Sequence, residues 1–498
     1  MFNQTRGTSH MSRIVIVSNR TPGKGPAAGG LAVALRKVLS EREGFWFGWS
    51  GKLTDQPARE ARIEDIDGLE VAQIDLNRED HHAYYAGFSN SILWPSFHLR
   101  LDLATIESHW YEGYRRVNQQ FARALLPLLK PDDVVWVHDY HLIPLASELR
   151  QLGARNRIGF YLHIPFPTTD ALYAIPHHEE LMRDLSRYDL VGMQAKRDVA
   201  AFTEFAEHQA PSTFGGHKVQ AIDFSRTEVE AFPIGSDPEA FAKLAVSPAA
   251  TKMVHRMKRV LGDQRLILGV DRLDYSKGLP QRVEAYEKLL ANNARLRRSV
   301  HMLQVAPPSR DSIKEYQETS DTLDAMCGRV MGHFAEPDWQ PLTYVKRAYG
   351  QPSLAGLYRM ARVGLVTPLR DGMNLVAHEF VGSQNPEDPG VLVLSRFAGA
   401  AEIFPEGLLV NPFDTDETSE ALRMALDMPL DERKQRWTAL MESAQKYNVD
   451  DWAVNFLNHL TQGGPDKASA TRDVLYLGSA SELATPPNAM GSPTPPAA

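Results

Sequence analysis

Residues 363–379 read VGLVTPLRDGMNLVAHE, and this stretch decides the fold. It opens with a short apolar, β-branched run of the kind buried on both faces of a parallel sheet. From Asn374 onward the spacing turns helical, and the residues between carry turn chemistry in Pro368, Asp371 and Gly372. A strand that passes through a tight turn straight into a helix is the repeating step of an α/β protein. The same order predicts Asn374 as the helix N-cap, with the backbone N–H groups of Leu375 and Val376 facing outward at the positive end of the helix dipole, where phosphate binds. Glu379 falls about one and a half helical turns further on, within reach of hydroxyls attached to such a phosphate. A nucleotide sugar has both parts.

Outward from this stretch, strand-like and helical runs alternate along most of the chain. On the N-terminal side lie RIVIVS (13–18), FWFGW (45–49), DVVWVHD (133–139), RIGFYLHI (157–164), DLVGMQ (189–194) and EVEAFPI (228–234), with helical stretches such as LAVALRKVLSE (31–41) and RDVAAFTEFAEH (197–208). After the turn-rich PIGSDP (233–238) the pattern restarts with RLILGV (265–270), HMLQVAPP (301–308), VGLVTP (363–368), GVLVLS (390–395) and LLVNP (408–412). The expected fold is therefore α/β, with two doubly wound units and ligands in the cleft between them, outside the carboxyl ends of the strands. Within the first unit, YYAGFSNSILWPSFH (84–98) reads as an irregular loop. Residues 463–498, rich in Ala, Pro, Ser and Gly, are expected to form a disordered tail.

Composition narrows the partners. The 498 residues carry 54 Lys and Arg against 62 Asp and Glu, a net charge of −8, with no long basic block. Neither nucleic acid nor an anionic membrane surface is an expected partner, so phosphate binding must be local. The single cysteine, Cys327, excludes an internal disulfide and fits a reducing, cytoplasmic setting. No apolar run approaches the roughly 20 residues of a membrane span. The leader MFNQTRGTSHM lacks the charged-then-apolar pattern of a secretion signal.

Further chemistry sits at predicted strand ends. In VDRLDYSKG (270–278), Arg272 and Lys277 offer two cations at one turn, suited to a diphosphate or, read blandly, to solvent. Arg20 follows the first strand, and the Gly29–Gly30 turn leads into a helix, but no GxGxxG fingerprint is present, which argues against a dinucleotide cofactor. Tyr85 and Trp94 suit stacking on a sugar or filling of the core. Asp139 and His163 project from one edge of the sheet and suit hydroxyl recognition. A metal at His138, Asp139 and His141 is disfavoured because neighbouring strand residues face opposite ways. The DTD at 414–416 precedes a helix and reads as its cap. No metal and no cofactor are expected.

Taken together, SNR, AAGGL, FGWSG, the YY…FSN…LWP…FH segment, VHDYHL, HIPFP, VDRLDYSKGLP, APPSR, TPLRDGMNLVAHEF and LVLSRFAGAA, in that order, carry a resemblance that spans about Ser12 to Leu460. The chain resembles the retaining glycosyltransferases of the trehalose-6-phosphate synthase family. The resemblance implies two facing Rossmann-like domains of GT-B type: an acceptor domain (12–235), a nucleotide-sugar domain (236–446) and a C-terminal helix (447–462) packing back on the first. It also implies small-molecule substrates, a nucleotide diphosphate glucose (UDP-glucose expected, with ADP and GDP open) and glucose 6-phosphate, and a homo-oligomer, dimer or tetramer. No phosphatase-like second domain is expected after residue 462.

By matching motif, Arg272 and Lys277 would hold the diphosphate, Gly30 would approach it from the other domain, and Asp371 would bind hydroxyls of the donor glucose. Asn374, Leu375, Val376, Ala377, His378 and Glu379 would complete the donor pocket, with Glu379 on the ribose. Tyr349 would meet the base, where the family pattern has phenylalanine. The acceptor would be held by Arg20, Tyr85, Trp94, Asp139 and Arg310. His163 would contact the donor sugar near the reacting centre, and Ile164 with Trp94 would help to select the anomer. The implied chemistry is front-face displacement with retention; covalent double displacement through Asp371 or Asp139 stays open at this point. So do two other functions, transfer to a different phosphorylated acceptor such as glycerol 3-phosphate, and non-catalytic sensing of sugar phosphates.

Overall fold

A computed structural model describes residues 12–24, 30–56, 59–208, 212–214, 217–219, 221–310 and 313–462. The leader, Gly29 of the Gly29–Gly30 turn and the predicted tail lie outside the described residues. Two large sheets organise the rest. The first runs Glu228–Ala231, Leu190–Met193, Arg157–Tyr161, Val134–His138, Ile14–Arg20, Gly44–Thr54, Leu69–Asn77 and Arg62–Ile66; all pairings are parallel except the last, which adds an antiparallel edge. The second is wholly parallel, in the order Leu342–Val345, Val300–Val305, Arg265–Val270, Val363–Val366, Val391–Ser395 and Leu408–Val410.

The central strands of both sheets are buried on two faces, which is why they read as continuous apolar runs rather than as alternating ones. Along Ile14–Arg20, Val15 and Val17 join one apolar cluster while Ile14 and Ile16 join another. The second cluster continues into the other sheet through Leu266, Leu268 and Val366. The helix Val449–Gln462 contributes to that shared core: Phe456 stacks on Trp136 at 4.8 Å between ring centroids, and Trp452 lies 5.0 Å from the same ring. Gly159 and Gly192 make room for it, since a methyl group at either would come within 3.0 Å of the Phe456 ring.

Each sheet changes winding direction once, between Val134–His138 and Ile14–Arg20 in the first and between Arg265–Val270 and Val363–Val366 in the second. Those two switch points place the Arg20 and Asp139 ends opposite the Asp271–Gly278 and Thr367–Asn374 turns, where α/β sheets bind ligands. No described helix is long and apolar enough to cross a membrane.

One expectation is overturned. Residues 84–98 are helical: Arg78–His81 leads into a π-helix, His82–Leu93, and then Trp94–Phe97. Its composition misleads because Gly87, Ser89, Asn90 and Ser91 are poor helix formers. Tertiary contacts override them. Phe88 packs on Tyr111 and Tyr114 at 5.2 and 4.7 Å, and the side chains of Asn90 and Ser91 bond the carbonyls five residues back, on Tyr85 (2.7 Å) and Ala86 (2.8 Å), as the wider π turn allows. The antiparallel edge strand Arg62–Ile66 and the strand Leu342–Val345 have no clear signature in the sequence.

Candidate active site

The turn after Val363–Val366 is built around Asn374. It takes a left-handed conformation, φ 88°, which asparagine adopts more readily than most residues, and caps the helix Leu375–Ser383 by accepting the Val376 N–H at 3.1 Å. The expectation of two open amides is corrected: the Val376 donor is already used, which leaves Leu375 as the open donor at the helix start. The other end of the Asn374 amide donates to Asp371 Oδ2 at 3.0 Å and to Asp271 Oδ1 at 3.4 Å. Asp371 also pairs with Lys277 Nζ, both side chains being nearly buried.

Beneath these turns lies Arg282, fully buried and unremarked in the sequence. It donates to Asp271 Oδ2 (2.8 Å), Thr367 Oγ1 (3.2 Å) and Gln304 Oε1 (3.2 Å), so one guanidinium ties three strand ends together. Arg272 stands apart: it is exposed and forms no hydrogen bond or ion pair with the described residues, although its charge helps to stabilise the carboxylates of Asp139 and Asp274. Glu379 accepts from the Tyr358 hydroxyl at 3.1 Å, and burial pushes its carboxyl up to about 7. Ala377 and His378 are buried in the helix, whereas Leu375 and Val376 are half-buried. Tyr349 is half-buried on the same apolar cluster, with the Arg347 guanidinium 5.0 Å from its ring. Gly30 begins the helix Gly30–Glu41, and the residues just before it lie outside the described ones.

The acceptor side centres on Arg310, which comes from the second unit, after Val300–Val305, and is itself left-handed at φ 54°. Its guanidinium lies 3.8 Å from the Trp94 ring centroid, donates to the Tyr140 hydroxyl at 3.1 Å and to Asp274 Oδ2 at 3.4 Å, and also bonds the Tyr316 hydroxyl. Arg310 is thus closed onto its own counter-ion, Asp274. Arg20 is exposed, 5.6 Å from the Trp49 ring. Between them, the Tyr85 ring stacks with His81 and His141 at 5.3 and 5.7 Å. Trp94 is buried, and its Nε1 has no partner among the described residues.

Asp139 adopts φ 78° and accepts the His163 amide at 3.3 Å. Burial pushes its carboxyl up to about 6, against the pull of the Tyr140 and His163 amides and the Arg310 and Arg272 charges. The carbonyls that follow are each held, Tyr140 by the Tyr114 hydroxyl (2.6 Å), His141 by Asn118 Nδ2 (3.1 Å) and Leu142 by the Tyr188 hydroxyl (2.8 Å). His163 Nε2 lies 3.0 Å from His138 Nδ1, its Nδ1 lies 3.5 Å from the Gln194 amide nitrogen, and burial lowers its pKa to about 3, so the ring is neutral. Ile164 is buried beside it.

Polar contacts absent from the sequence reading join the two halves. Arg197 donates to the carbonyls of Arg396 (3.1 Å), Phe397 (2.8 Å) and Asp371 (3.4 Å), and Arg370 to that of Phe166 (2.7 Å). The Glu402 carboxylate accepts the amides of Lys196 (3.0 Å) and Arg197 (3.4 Å) at the start of the helix Lys196–His208. The only sequence signal is that these residues adjoin predicted strand ends. Asp414 caps Thr415–Asp427, and among the described residues no group of His, Cys, Asp and Glu is placed to hold a metal ion.

Residues 11–462 match the sequence profile of glycosyltransferase family 20. The chain belongs to that family. This family-20 glycosyltransferase is 48% identical over 460 residues to a trehalose-6-phosphate synthase of Sinorhizobium fredii, covering 91% of this chain and 98% of the relative. Among solved structures, an alpha,alpha-trehalose-phosphate synthase (UDP-forming) of Burkholderia vietnamiensis superposes with a TM-score of 0.86 at 43% identity, covering 91% of this chain and 100% of the other. A Burkholderia xenovorans enzyme of the same description, in complex with glucose-6-phosphate, gives 0.85 at 47% identity with the same coverage. The two-domain GT-B architecture of the family-20 enzyme accords with its two facing sheets.

Proposed function

We propose that this enzyme transfers glucose from UDP-glucose to glucose 6-phosphate, with retention, giving α,α-trehalose 6-phosphate and UDP. The observation that carries this reading is near end-to-end similarity to UDP-forming trehalose-phosphate synthases, one of them a complex with glucose-6-phosphate. The geometry supplies a physical route. Arg272, exposed and unpaired among the described residues, and Lys277 would take the diphosphate. Lys277 then exchanges Asp371 for phosphate, and the freed Asp371 carboxylate accepts donor-sugar hydroxyls. Glu379 would hold the ribose and Tyr349 the base, with the Leu375 amide and the helix dipole behind the phosphates.

On the other side, Arg20, Tyr85, Trp94, Asp139 and Arg310 would hold glucose 6-phosphate, Arg310 turning from Asp274 to the phosphate. In the reaction the C1–O bond to the diphosphate breaks and its electron pair leaves on the diphosphate oxygen. The acceptor's anomeric oxygen attacks C1 from the same face and passes its proton to that oxygen. No side-chain nucleophile is needed.

The test is nucleotide release from UDP-, ADP- and GDP-glucose with glucose 6-phosphate or glycerol 3-phosphate. UDP release that requires glucose 6-phosphate is expected. Its absence, or equal release with glycerol 3-phosphate, overturns the assignment.

A further inference from the structure

A cavity of about 860 Å³ opens in the first unit, away from the cleft, beside the helices Ser108–Leu125, Leu145–Gln151 and His178–Leu185. In a chain of net charge −8 it is lined by six arginines: Arg115, Arg150, Arg155, Arg183, Arg187 and Arg226. Two of them form a rigid floor. Arg115 pairs with Asp184 and Glu148, and Arg150 donates to Asp189 Oδ2 at 3.0 Å and to the carbonyls of Ala154 and Asn156 at 3.0 and 2.8 Å.

The other four, Arg155, Arg183, Arg187 and Arg226, are exposed and form no hydrogen bond or ion pair through their side chains with the described residues. Facing them are Glu180 in the lining and the exposed Asp223, whose carboxylate is held below the usual range by hydrogen bonds from Ser225, with smaller contributions from the Arg226 and Arg187 charges. A local excess of positive charge remains. Scattered arginines are ordinary on a surface, but these come from separate chain segments and converge on one concavity. Their mutual repulsion is relieved by a bound anion, and the planar guanidinium fork matches phosphate oxygens. The volume suits a ligand of nucleotide or sugar-phosphate size. A second copy of the chain fits less well, since a two-fold contact would press this positive face against itself.

The wall of the cavity also touches the candidate active site. Tyr188, in the lining, bonds the Leu142 carbonyl, while Tyr114 and Asn118, on the helix that carries Arg115, bond those of Tyr140 and His141. The turn that begins at Asp139 is thus clamped from the side of the cavity.

We propose that this cavity is a regulatory site for a small phosphorylated molecule bearing two or more negative charges, acting on the acceptor side through the Asp139–Leu142 turn. Equilibrium dialysis of radiolabelled pyrophosphate against the full chain tests it, with a variant carrying Arg183→Gln, Arg187→Gln and Arg226→Gln. The wild type is expected to bind one more equivalent than the variant, or to bind it at least about tenfold more tightly. Pyrophosphate is also expected to slow amide hydrogen exchange at residues 140–142 more in the wild type than in the variant, which keeps the cleft intact. Equal stoichiometry and affinity in the two proteins overturn the site; cavity-dependent binding with no cavity-dependent change in exchange overturns the coupling.

Discussion

Replacing Gly372 by alanine sets a single methyl group against the backbone of the facing sheet. The residue lacks the positive φ that would forbid a side chain, so any effect is steric rather than conformational. An added Cβ would sit 3.0 Å from the His163 carbonyl carbon and 3.1 Å from that of Ile164, and closer still to the His163 oxygen. Non-bonded carbons rest at about 3.5–4.0 Å, so the two backbones must part by roughly 0.5–1 Å. Neither side is a flexible side chain, and the far side of the turn is blocked because Gly399 already lies against the Gly372 carbonyl. The relief available is a small opening of the cleft at Asp371. A misplacement of about 1 Å costs on the order of 100-fold in rate, or about 2.7 kcal/mol of transition-state stabilisation. Overpacking strain of about 1–3 kcal/mol is largely shed by the same opening, so the unfolding midpoint should fall by only a few degrees. Steady-state kcat/KM from UDP release, paired with thermal unfolding, checks both numbers. A folded Gly372→Ala enzyme within about threefold of wild type would show that the close approach does not set the geometry of the reaction.

Two further changes probe the donor half. Arg272→Ala should lower kcat/KM by about 3 kcal/mol, as for loss of an oxyanion donor, while leaving the melting temperature unchanged because the side chain is exposed and unpaired among the described residues; an unaltered kcat/KM removes Arg272 from the diphosphate site. For Glu379, burial raises the carboxyl from 4.5 to about 7, so ionisation is penalised only in the folded chain. That destabilisation is absent below pH 4.5, grows between 4.5 and 7 and is complete above it, and Glu379→Gln should therefore gain about 3 kcal/mol at pH 8 and nothing at pH 4. The donor KM of the wild type should fall as pH rises through 7, when the carboxylate becomes a full acceptor for ribose hydroxyls, and the variant should lose this dependence. Parallel stability profiles for the two proteins would contradict the burial of that charge.

How much of this was legible in the sequence depends on the range of the interaction. VGLVTPLRDGMNLVAHE could be read because its strand, turn and cap are local: Asn374 caps Val376 two residues on, and the strand is apolar because both faces of the sheet are covered. The largely apolar strands at 134–138, 265–270 and 363–366 were legible for the same reason. The π-helix at 82–93 was not, because what holds it is the distant helix Ser108–Leu125 rather than its own propensities. Arg282 went unremarked in the sequence because only the fold brings Asp271, Gln304 and Thr367 around it. Arg197 was hidden for a still longer-range reason, since its partners lie about 200 residues away.

Lys277 and Asp371 mark the boundary between these cases. Each was visible in its own motif, yet the ion pair between them, across 94 residues, was not, and the pair changes the chemistry of both. A lone lysine would offer a phosphate an uncompensated charge, and a lone aspartate would stand as a candidate nucleophile. Paired and nearly buried, each neutralises the other, so an incoming donor must replace each partner with a better one, diphosphate for Lys277 and sugar hydroxyls for Asp371. Inorganic phosphate satisfies only the lysine and leaves Asp371 buried without its counter-ion. Discrimination in favour of the intact nucleotide sugar thus follows from the pairing itself, with no contact to the base required.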